Sequence, residues 1–84
     1  MAIPQHPVQL PPETLAELNQ KLGDMRHSIN NHLTLITTAL ELMRRKPDSI
    51  PRMVASMTDQ PEKIRSEVNA FSDAFENALG ITRD

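Results

Sequence analysis

Cysteine, tryptophan and tyrosine are absent from this chain. Without a thiol it has no disulfide framework, no thiolate zinc site and no cysteine nucleophile. Two phenylalanines, Phe71 and Phe75, are the whole aromatic complement, too little for base-stacking platforms or ligand cages. Neither sign of charge dominates. Nine Lys/Arg against eleven Asp/Glu give a net charge of −2, so no overall basic field draws the chain to nucleic acid. The longest apolar runs are a few residues, far short of a membrane span. The first residues carry no basic-then-apolar export signal, and the expected compartment is the cytoplasm. At 84 residues the chain is one domain, too small to bury much core of its own.

Proline and helical spacing organise what is there. Pro4, Pro7, Pro11 and Pro12 favour an extended arm over residues 1–11, either a linker, a docking segment or a frayed tail. From Pro12 to Lys46 there is no further proline and one glycine, Gly23. That run predicts a helix of about 35 residues and roughly 50 Å. Glu13 and Glu17 suit its positive end, while Arg44, Arg45 and Lys46 suit its negative end. Pro47 stops it. Asp48 or Ser49 is the candidate N-cap of a second helix over 50–79, and Gly80 its C-terminal stop. Pro61 interrupts that helix, with Asp59 and Glu62 spaced as a capping box around a kink or restart. Residues 81–84 form a tail.

In the first helix Leu15, Leu18, Leu22, Met25 and Ile29 step by 3 and 4, a heptad seam. Leu33, Ile36, Leu40 and Met43 continue it after a step that predicts a stutter between Ile29 and Leu33. The second helix offers Ile50, Val54, Met57, Ile64, Val68, Phe71, Phe75 and Ala78. Two such helices joined by a short turn form an antiparallel hairpin over residues 12–80. A hairpin buries only part of each stripe; two of them face to face bury both. The expected fold is therefore all-α, a hairpin forming a homodimeric four-helix bundle.

The expected stutter falls in the densest polar cluster, residues 25–34. With Met25 and Ile29 on the seam, His27 lies on the opposite side. Asn31 and Thr34 share its face, and Asp24 precedes it by one turn. A neutral imidazole is nucleophilic near pH 7, so His27 is a candidate phosphoryl acceptor. From spacing alone, an ordinary solvated polar helix face is the commoner reading of the same residues.

The stretch Arg26-His27-Ser28-Ile29-Asn30-Asn31-His32-Leu33 resembles the H-box of bacterial two-component sensor histidine kinases. The hairpin over roughly residues 12–80 is similar to their dimerisation and histidine-phosphotransfer domain. His27, Ile29, Asn31 and Leu33 match in type and register. The resemblance implies His27 as phosphoacceptor and Asn31 as the residue that positions water or the response regulator. It also implies a dimer core from the seam residues and a response-regulator receiver domain as partner. Ser28 departs from the pattern, because relatives carry a carboxylate there that accepts a proton from the imidazole. Serine is a poor base, which makes Asp24 the candidate substitute. The ATP-binding domain that accompanies the family's hairpin is not among these residues, so the chain alone is not expected to phosphorylate itself.

Other chemistry has less support. His27 and His32 lie about 140° apart on a helix, so no metal site is expected, and no cofactor. Met25, Met43, Met53 and Met57 have core spacing, although a promiscuous peptide groove uses the same residue type. Asn30 and Asn31 could alternatively set helix register as polar seam residues. The rival to phosphotransfer is a non-catalytic dimerisation or adaptor module with a degenerate H-box.

Overall fold

A computed structural model describes residues 6–81 of the chain. It consists of α1 (Pro12–Arg45), a single 3-10 turn (Pro47–Ser49), α2 (Ile50–Met57) and α3 (Gln60–Leu79), with no strand among the described residues. The long helix and the bent one fold back on each other. The molecule measures 57 × 27 × 14 Å, so it is one helix thick and two helices wide.

Each boundary has a local cause. Pro12 occupies the first turn of α1, where a missing N–H costs nothing, and Leu15 N–H donates to Pro11 O at 3.1 Å. At the far end Lys46 N–H closes on Leu42 O at 2.8 Å, and Arg44 and Arg45 reach back to Glu41 at 3.6 and 3.8 Å. Ser49, expected as an N-cap, does a different job. Its hydroxyl donates backward to Lys46 O at 2.6 Å, which closes the turn and leaves α2 with no side-chain cap. Gly80 ends α3 at φ 67°, and Ile81 N–H reaches Glu76 O at 2.9 Å, a Schellman closure that needs the left-handed conformation.

The second helix breaks at Thr58 and Asp59, ahead of Pro61, which sits in the first turn of α3. The Asp59–Glu62 capping box does not form. Asp59 instead pairs with Lys63 at 3.3 Å and Glu62 with Arg65 at 3.1 Å.

The seam between the helices is where the fold departs most from the apolar pattern. On α1 the half-buried or buried positions include Leu18, Leu22, Met25, Ile29, His32, Ile36, Ala39 and Met43. These step by 4 and 3 without interruption, so the hairpin seam has no stutter. On the second arm of the hairpin Met53, Met57, Gln60, Ile64, Glu67, Phe71, Ala74 and Ala78 do the same, straight through the break. Leu33, Leu40, Val54, Val68 and Phe75, expected in the seam, remain 40–53% exposed beside it. The four methionines with core spacing are all half-buried in the seam.

Little is buried. Ala39 is the only apolar residue among those described that is buried outright, and no large side chain is fully enclosed. The radius of gyration is 18.0 Å, against about 12 Å for a compact domain of this length. The hairpin is a layer with seam contacts, not a closed core.

Candidate functional site

Helical geometry distributes the polar cluster of α1 over two faces. Residues advance about 100° each, so His27 projects roughly opposite the seam that Met25 and Ile29 occupy. His27, Asn31 and Thr34 are all exposed, as the spacing predicts. Asp24, one turn earlier, is also exposed, and its carboxylate accepts a hydrogen bond from Gln20 Nε2 at 3.0 Å.

Ser28 is turned away from this face. Its hydroxyl donates across the hairpin to Glu67 Oε1 at 3.0 Å, and both residues are half-buried. A groove alongside is lined by Lys21, Asp24, Met25, Glu67 and Phe71. One turn on, His32 Nδ1 lies 2.7 Å from Gln60 Oε1. An amide oxygen only accepts, so the Nδ1–H of His32 is the donor of this bond. Gln60 is 6% exposed, and this bond satisfies the oxygen that burial removes from water.

The two histidines of the cluster thus serve different purposes. His27 faces outward among Asn31, Thr34 and, toward one edge, Asp24. His32 is the polar seam residue, a place the spacing left to Asn30 or Asn31; both of those are exposed. The fold brings Ser28 and His32 together with Glu67 and Gln60, two partners that apolar spacing does not single out. Their signal lies in the unbroken 3–4 spacing of Met57, Gln60, Ile64, Glu67 and Phe71, as that of His32 lies in Met25, Ile29, His32 and Ile36, once polar letters are admitted to a seam.

The outward face can present one imidazole on a rigid helix, flanked by amide and hydroxyl groups that hydrogen-bond to anionic oxygens. No cluster of three or more potential metal ligands occurs among the described residues. No described helix is long and apolar enough to cross a membrane. No family model matches this chain, and neither a curated protein nor a solved structure matches it.

Proposed function

We propose that this hairpin is a histidine kinase-like dimerisation and phosphoacceptor domain of bacterial two-component signalling, which exchanges a phosphoryl group with a response-regulator receiver domain or docks one. The observation that carries the reading is the outward placement of His27 on the polar face of α1, with Asn31 one turn later and Thr34 two turns later. An acceptor must meet its donor in line, from outside the bundle, and a histidine in the seam could not.

In the exchange a lone pair of the neutral His27 imidazole attacks the phosphorus of an aspartyl phosphate. The bond from phosphorus to the carboxyl oxygen breaks, an N–P bond forms and the aspartate leaves as carboxylate. The proton on the other ring nitrogen passes to water. Asn31 and Thr34 would hydrogen-bond the equatorial oxygens. A second copy of the chain would cover the apolar side chains that the hairpin leaves exposed and complete a four-helix bundle.

Incubation with a phosphorylated receiver is expected to give the chain an acid-labile, base-stable phosphate that His27→Gln abolishes. A signal that His27→Gln leaves unchanged would overturn the assignment.

One observation favours the adaptor reading instead. Ser28, at the position where the family's pattern has a carboxylate, commits its hydroxyl to Glu67 across the hairpin and so supplies no base to His27. An adaptor predicts that His27→Ala is silent in receiver binding and in self-association alike.

A further inference from the structure

The hairpin is one helix thick, so it offers two broad sides, and they differ in chemistry. The interhelical bonds Ser28–Glu67 and His32–Gln60 both lie on one side of the seam. Helical rotation puts Leu33 and Leu40 of α1, and Val54, Val68 and Phe75 of α2 and α3, along the other. Those five side chains are 40–53% exposed. Together they present roughly 400 Å² of apolar surface, within the range of the largest patch on an ordinary monomer, which is often functional.

We propose that a second copy of this chain packs on the side carrying Leu33, Leu40, Val54, Val68 and Phe75, and that the polar pairs Ser28–Glu67 and His32–Gln60 exclude it from the other side. The inference rests on the dimeric reading above and adds which face is used and what selects it.

Two observations identify the occupant as a copy. Joining two such faces removes roughly 800 Å² of apolar surface, which at about two-thirds apolar composition is an interface near 1,200 Å², the lower end of stable association. The faces are also self-complementary in height. The pairing of Ser28 with Glu67 and of His32 with Gln60 sets Leu40 level with Val54 and Leu33 level with Pro61. A two-fold axis parallel to the helices, with turn ends together, then sets Leu40 and Leu33 against Val54 and Pro61 of the second copy, apolar against apolar over the turn half of the hairpin.

The opposite side would refuse the same packing. Covering it would shut Glu67 and His32 away from water together with Lys21 and Asp24 of the same groove, and burying several charged groups at once is strongly disfavoured. Leu35, 56% exposed, is the large apolar exception there.

The chain has no cysteine, so introduced thiols report contacts without background. Leu40→Cys chains mixed with Val54→Cys chains are expected to form a disulfide-linked pair on mild oxidation. Leu35→Cys mixed with Ser56→Cys, on the polar side, is expected to stay unlinked. Replacing one polar pair, as His32→Leu with Gln60→Leu, should then allow linking on the second side as well. Linking on the polar side of the otherwise unaltered chain, or a double variant that keeps the original selectivity, overturns the proposal. A monomeric mass by light scattering at every concentration overturns the dimeric reading itself, which separates the two failures.

Discussion

His32 Nδ1 and Gln60 Oε1 meet at 2.7 Å across the hairpin, and they join the polar stretch of α1 to the first residue of α3. The bond ties the polar cluster to the helix break, because Gln60 is both the start of α3 and one of the most buried side chains described. Removing one partner leaves the other unsatisfied. Gln60→Leu or His32→Leu alone is expected to cost about 1–3 kcal/mol, whereas the double variant should recover most of the loss. Thermal denaturation of the four chains reads this cycle; additive losses would show that the two residues do not interact.

The two glycines predict opposite outcomes for the same substitution. Gly23 lies inside α1, with no neighbour within 4 Å of where an added methyl group would sit, so Gly23→Ala is expected to stabilise by about 1 kcal/mol through helix propensity. Gly80 sits at φ 67°, and Gly80→Ala should destabilise by about 1 kcal/mol through left-handed strain. Shifts in Tm of about 4–8 °C in opposite directions are the expected signature. A shift of the same sign at both positions would contradict the helix boundaries.

Ser28 and Glu67 form a coupled pair. Ser28→Glu places a carboxylate directly after His27, yet it sets two carboxylates together in the half-buried seam. It is therefore expected to lower stability at neutral pH, and the added change Glu67→Ser should restore it. Urea midpoints for the single and exchanged variants distinguish this from simple tolerance of the new residue.

Association and helicity are expected to be linked, because no large side chain is fully enclosed in the hairpin. Tm should rise with protein concentration. Leu40→Asp is expected to lower both the mass and the Tm by placing a charge in the covered face. Leu35→Asp, at an equally exposed leucine on the other side, should leave the mass unchanged. Circular dichroism and light scattering on the same samples test the link.

Much of the scaffold was legible in the sequence, for reasons that are local. Pro12, Pro47 and Gly80 act through their own backbone chemistry, and they bound the helices as expected. The seam was harder to read. Counting apolar letters picks out Leu33, Leu40, Val54, Val68 and Phe75, which the monomer leaves exposed, and passes over His32, Gln60 and Glu67, which it buries or half-buries. The stutter between Ile29 and Leu33 came from following the exposed column. The capping roles of Ser49 and Asp59 were likewise lost to competing partners, Lys46 O and Lys63, that adjacent spacing alone does not rank. For the candidate site, the outward face of His27, Asn31 and Thr34 followed from helical rotation. The inward turn of Ser28 depends on Glu67, which lies 39 residues away.

Where the phosphoryl group comes to rest decides between an acceptor domain and an adaptor. The chain would be incubated with a phosphorylated receiver domain, digested at alkaline pH and mapped by mass spectrometry, with ³¹P NMR on the intact protein to identify the N–P bond. One phosphoramidate is expected, on His27 and not on His32. A phosphoryl group on His32, or none on any histidine while the receiver still binds, would contradict the phosphoacceptor assignment.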